Sequence, residues 1–209
     1  MNKTDKQTAL AELANLYPDA KPALKYTTPY ELLVAVVLSA QCTDERVNIV
    51  TAKLFEKYNT PEAMVTLSQK ELEKYIFSCG FYRMKEEHIL SASRDILDKF
   101  GGEVPGTIEE LMTLAGVGKK TANVIYSVAF GGAAIAVDTH VFRVSNRLGL
   151  AKGKTPLEVE EGLYKVVPKD CWSKAHHWLI YHGRQVCHSQ KPACERCTLA
   201  HLCDFAKKR

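Results

Sequence analysis

Apolar residues recur along most of the chain at intervals of three and four, which predicts amphipathic helices rather than strands. Between Tyr30 and Gln41 the pattern thickens, and Leu32 to Leu38 is uninterrupted apolar sequence. That run falls well short of the ~20 residues that span a bilayer, so it predicts a helix buried on every side. A second run carries Ile89, Ile96 and Leu97 on one helical face and closes at Gly101-Gly102.

The helix starts are marked. A hydroxyl residue is followed three positions later by Glu at Thr28/Glu31, Ser68/Glu71, Thr107/Glu110 and Thr155/Glu158, the pattern of a capping box. Thr28-Pro29 and Thr155-Pro156 add proline at the first helical position, and Thr60-Pro61 repeats this without the Glu. These signals predict about ten helices. The best strand candidate, Ala133 to Val137, lies alone between Gly132 and Asp138, so the expected fold class is all-α. Gly101-Gly102 and Gly131-Gly132 are the best hinge candidates, and no internal repeat or Gly/Ser linker separates domains.

With 209 residues, 46% hydrophobic and 25% charged, the chain falls among ordinary globular proteins, which excludes disordered and collagen-like readings. It is long enough to bury a core without disulfides. Its seven cysteines are an odd number and four lie at or beyond Cys187, which favours a metal over disulfides and suits a reducing compartment. The first ten residues contain no apolar stretch with a cleavage site, so an intracellular address is expected. Net charge is +4, and the excess lies in the second half, with 15 basic and 10 acidic residues after position 100. That imbalance fits an anionic partner such as nucleic acid, although a surplus this modest is more often just a solvated surface.

Leu114-Ala115-Gly116-Val117-Gly118-Lys119-Lys120-Thr121-Ala122 sits between a short helix beginning at Ile108 and an apolar helix running to Phe130. Two glycines around Val117 permit a tight turn, and the amides that follow would present partial positive charge to a phosphate. An ordinary helix-helix turn gives the same pattern. The spacing matches neither the nucleotide P-loop nor the dinucleotide fingerprint. Lys120 falls in the first helical turn, where the helix dipole and Lys119 both disfavour its proton; it reads as an amine nucleophile or as a phosphate contact. Asp138 reads as the N-cap of a helix ending at Gly149, and its carboxylate could also stabilise positive charge on a reacting sugar.

Cys187, Cys194, Cys197 and Cys203 follow a 6-2-5 spacing, close enough to surround one metal centre. Spacing alone admits a tetrahedral zinc or a [4Fe–4S] cluster and slightly favours zinc. Cys42, Cys79 and Cys171 read as small buried residues, and His188 and His201 as outer neighbours of the thiolates or solvent-facing side chains rather than ligands.

Taken together, Leu38-Ser39-Ala40-Gln41, the Leu114–Ala122 hairpin, Ala136-Val137-Asp138-Thr139-His140 and the cysteine spacing resemble the endonuclease III family of DNA glycosylases with apurinic/apyrimidinic lyase activity. The resemblance covers nearly the whole chain. It implies a two-lobed helix-hairpin-helix fold, with a six-helix domain at 22–132 and a discontinuous iron–sulfur domain formed by 1–21 and 133–209. The DNA cleft would lie between the lobes. It also implies one [4Fe–4S] cluster on the four cysteines, in place of zinc.

The implied substrate is double-stranded DNA containing damaged pyrimidines or abasic sites, handled by a cytoplasmic, nucleoid-associated monomer with no membrane attachment. Lys120 matches the family's Schiff-base lysine and Asp138 its catalytic aspartate. Gln41 matches the residue that fills the space left by an extruded nucleotide, and Phe81 lies in the wedge loop, where bacterial members often carry Leu. Gly116, Val117, Gly118, Lys119, Lys191 and Arg196 would contact DNA, while Ala115 departs from the family's usual Pro. Adenine- and thymine-mismatch glycosylases are the nearest rivals, but they generally lack the lysine. A non-catalytic DNA-binding or electron-transfer module is the rival from another class.

Overall fold

The computed structural model describes residues 1–208, and among them every regular element is helical. Helix α1 (Lys3–Leu16) opens the chain. There follow α2 (Pro29–Ser39), α3 (Asp44–Leu54), α4 (Pro61–Met64), α5 (Gln69–Ile76), α6 (Tyr82–Phe100), α7 (Ile108–Leu111) and α8 (Lys119–Ala129). The chain continues through α9 (Thr139–Leu148), α10 (Pro156–Val166) and α11 (Trp172–Gln185), and then through short 3-10 turns. Among the described residues no helix is long and apolar enough to cross a membrane.

The side-chain caps explain where most helices begin. Thr28, Thr43, Thr60, Ser68, Thr107, Asp138 and Thr155 each accept the backbone N–H three residues on. Of the four boxes predicted from sequence, only Ser68/Glu71 closes reciprocally. At Thr28 and Thr155 the Glu reaches one residue further back, to the amides of Thr27 and Lys154. Three longer helices, α6, α8 and α11, begin without a side-chain cap.

Backbone contacts divide the chain into two compact units, Pro22–Gly131 and a discontinuous one made of Met1–Lys21 with Gly132–Arg209. In the first unit α2 is apolar from Leu32 to Leu38, and every residue from Tyr30 to Leu38, Glu31 included, is buried. It packs against α3, α6 and α8, with Leu33, Leu38, Ile89, Ile96, Leu111 and Ile125 in one continuous core. Tyr30 reaches Ser93 at 2.6 Å, and the Ser93 hydroxyl donates to the Ile89 carbonyl, so these two buried hydroxyls are satisfied. Helix α6 ends at Gly101 with φ +62°, a left-handed cap that a side chain would strain.

In the second unit α11 packs on α9 and α1. The apolar run Ala133–Val137 is not a strand. It is buried irregular backbone whose polar groups find side chains: the Ile135 N–H donates to the Tyr164 hydroxyl, and His176 Nδ1 donates to the Ala136 carbonyl at 2.6 Å.

Candidate active site and metal centre

The hairpin before α8 is held from below. Leu114 and Val117 are buried in the core of their unit, and the Val117 N–H donates to the Leu114 carbonyl. Gly116 has φ +76°, and a Cβ there would come within 2.9 Å of His88. Both facts require glycine. Gly118 differs, because its backbone is extended and a Cβ there would meet nothing within 4 Å. Packing within the chain therefore does not demand that glycine. As the N-cap of α8 it offers no side chain to the first helical amides, which leaves them suited to an external anion.

Lys119 and Lys120 occupy the first two positions of α8 and are both exposed. The Val117 side chain is buried, so any contact it makes with DNA runs through its backbone.

Asp138 is the N-cap of α9. Its Oδ1 accepts the Val141 N–H at 2.7 Å, and among the described residues no other hydrogen bond is made to the carboxylate. The capping role and a free second oxygen coexist in one half-buried side chain. Nearby His140 is held below the usual imidazole range, chiefly by burial and also by Arg143 and Arg184. Arg143 Nη2 lies 3.1 Å from His140 Nδ1, which makes Nδ1 the acceptor of a neutral ring.

Two predicted DNA-contact residues stand out by conformation. Gln41 has φ +52° and Phe81 φ +58°, both in the left-handed region that non-glycine residues rarely adopt. Both are exposed, Phe81 by 61%. Lys191 is the third such residue, with φ +47°. It is exposed, as is Arg196, whose Nη2 donates to the Gln185 carbonyl.

All seven cysteines are free thiols. Cys187, Cys194, Cys197 and Cys203 line one small apolar cavity together with Val186, Pro192 and Phe205. Burial, followed by the charges of the other thiols, pushes the Cys197 and Cys203 thiols upward. Four thiolates so placed need a cationic centre. Among the described residues no group of three or more His, Cys, Asp or Glu is disposed to hold a metal ion, and four soft donors around one cavity are compatible with either a tetrahedral zinc or a [4Fe–4S] cluster.

The outer shell of this centre was not evident in the sequence. Arg147 Nη1 donates to Cys187 Sγ at 3.6 Å and to the His188 carbonyl, while its guanidinium stacks on Phe205. His182, 2% exposed, places Nε2 3.6 Å from Cys197 Sγ and Nδ1 3.1 Å from the Tyr17 hydroxyl. His188 and His201 make no such contact: His188 is half-buried and His201 exposed. Of the cysteines outside the set, Cys79 is fully buried, but Cys42 and Cys171 are only half-buried.

The family of HhH-GPD superfamily base excision DNA repair proteins matches residues 34–169. Endonuclease III of Haemophilus influenzae is 48% identical over 208 residues, 100% of this chain and 99% of that protein. Endonuclease III of Bacillus subtilis is 48% identical over 210 residues, 100% and 96% respectively. A solved trapped endonuclease III–DNA covalent intermediate matches with TM-score 0.96 at 51% identity, over 100% of this chain and 99% of that one. The chain belongs to the HhH-GPD superfamily and, within it, to the endonuclease III family. A thermostable thymine-DNA glycosylase, 23% identical with TM-score 0.87 over 99% of this chain and 98% of that one, shares the fold.

Proposed function

We propose that the chain removes damaged pyrimidines from duplex DNA and then cleaves the abasic site through an imine on Lys120. Base-excision glycosylase and lyase chemistry follows from membership of the endonuclease III family. The observation that carries the residue assignment is the position of Lys120, an exposed amine in the first turn of an uncapped helix, directly after a glycine hairpin. The hairpin amides and Lys119 bind backbone phosphate, which positions the duplex without reading its sequence.

Extruding the target nucleotide costs a few kcal/mol of stacking, least where the base is already damaged. Gln41 and Phe81, on exposed strained turns, hold the opened stack. The neutral Lys120 amine attacks C1′, and the C1′–N bond breaks with its electron pair leaving on the base, which takes up a proton. Asp138 offsets the positive charge that develops on the sugar. Loss of nitrogen protons and ring opening give the imine. Removal of a C2′ proton then expels the 3′ phosphate by β-elimination, and water releases the lysine.

Cys187, Cys194, Cys197 and Cys203 hold one [4Fe–4S] cluster, which when bound fixes the surrounding loops and can exchange electrons. Those loops carry Lys191 and Arg196, two further phosphate contacts. The partner is double-stranded DNA, bound by the protein as a monomer inside the cell. The test is incubation with duplexes carrying thymine glycol or an abasic site. Strand scission that disappears in Lys120→Ala supports the reading, and tight binding without scission by the wild type overturns it.

A further inference from the structure

Lys85 is a buried cation without a role in the chemistry above. It lies in the first turn of α6 at 4% exposure, and its Nζ donates to the Leu38 carbonyl at 2.8 Å. Leu38 is in the last turn of α2, where carbonyls lack helical partners and the dipole is negative. The bond therefore fastens the start of α6 to the end of α2.

Each of those ends carries one of the strained turns. Gln41, with φ +52°, stands three residues beyond Leu38, and Phe81, with φ +58°, is the N-cap of α6. The Lys85 N–H donates to the Phe81 carbonyl at 3.2 Å, and the next residue back, Gly80, would place a Cβ 3.5 Å from the Gln41 carbonyl. The two turns approach each other through their backbones, and Cys42 and Cys79, each next in sequence to one side of that approach, are the electrostatic neighbours of the Lys85 ammonium. They are the only left-handed non-glycine residues described in this unit. Such conformations cost of order 1–3 kcal/mol each and persist only where the surroundings hold them. Desolvation, the largest influence on Lys85, pulls its pKa down, while the neighbouring Cys79 and Cys42 thiols oppose that.

We propose that Lys85 is a positioning residue that holds the Gln41 and Phe81 turns in the geometry with which they enter the DNA stack. This rests on the reading of Gln41 and Phe81 given above. Lys85 touches no substrate; it acts through the α2 terminus.

The test uses a duplex with thymine glycol and 2-aminopurine opposite it, at saturating full-length protein. Lys85→Met should bind this duplex within threefold of wild type, lose at least half of the 2-aminopurine fluorescence rise, and excise at least tenfold more slowly in a single turnover. Lys85→Arg, which keeps charge and donor, should recover most of both signals. In a Gln41→Ala background Lys85→Met should add little, because the same step is already lost. Lys85→Gln replaces the methionine variant if that one does not fold. Normal fluorescence and excision in Lys85→Met would overturn the proposal, as would full additivity with Gln41→Ala or losses that simply track the folded fraction. A wild type that excises nothing would instead overturn the functional reading.

Discussion

Asp138 Oδ1 accepts the Val141 N–H at 2.7 Å, so the carboxylate assigned to catalysis also starts helix α9. The two roles separate by substitution. Asn caps as well as Asp, whereas Ala costs about 1 kcal/mol at such a site. Asp138→Asn should therefore melt within a few tenths of a kcal/mol of wild type yet lose about 10²–10³-fold in single-turnover excision. Full turnover in Asp138→Asn would return the residue to a purely capping role.

The hairpin glycines make an opposed pair. Gly116→Ala forces a side chain into a left-handed backbone against His88 and should destabilise by about 1–3 kcal/mol. Gly118→Ala meets open space and should cost under about 1 kcal/mol, while weakening binding to duplex DNA by crowding the phosphate. Thermal melts and titrations of both variants check this. A Gly118→Ala protein with unchanged affinity would mean that phosphate does not approach there.

Tyr17, whose hydroxyl burial pushes up to about 12, stays protonated, and its hydrogen bond to His182 Nδ1 orients the ring whose Nε2 faces Cys197. Outer partners of this kind are worth about 10–100-fold in metal retention. In cluster-loaded Tyr17→Phe, visible absorbance should decay about tenfold faster under a chelator. Equal decay rates would show that the phenol does not steer the histidine.

His177 is buried and its imidazole is pushed down to about 4 by desolvation. An unfolded histidine titrates near 6.5, so between these values the unfolded chain binds the extra proton. The stability contributed by the neutral ring is complete above about pH 6.5 and is lost as pH falls toward 4, up to about 3 kcal/mol. Chemical denaturation across this window should show His177→Leu losing less stability than wild type on acidification. Parallel curves would locate the acid sensitivity elsewhere.

Helix starts were legible in the sequence because a cap is a local device: Thr28, Ser68, Thr107, Asp138 and Thr155 each serve an amide three residues away. The cysteine set was legible from spacing for a similar reason, since Cys187 to Cys203 is a single short loop. What supports these residues was not. Tyr17 and His182 are 165 positions apart, and Lys85 meets Leu38 across 47. Pairings of that separation are made by the packing of helices and leave no periodic trace. The left-handed backbones at Gln41, Phe81 and Lys191 were hidden because none is glycine. Ala133–Val137, apolar enough for a strand, finds its partners in Tyr164 and His176 instead of a neighbouring strand.

The assignment of Lys120 as nucleophile is open to one direct measurement. Borohydride added during turnover of a thymine glycol duplex should leave a reduced adduct, and peptide mass spectrometry should find the sugar remnant on Lys120. Lys120→Ala, an exposed substitution with little effect on folding, should form no adduct and lose at least about 10³-fold in strand scission. A remnant on any other side chain, or an undiminished adduct in Lys120→Ala, would contradict the account.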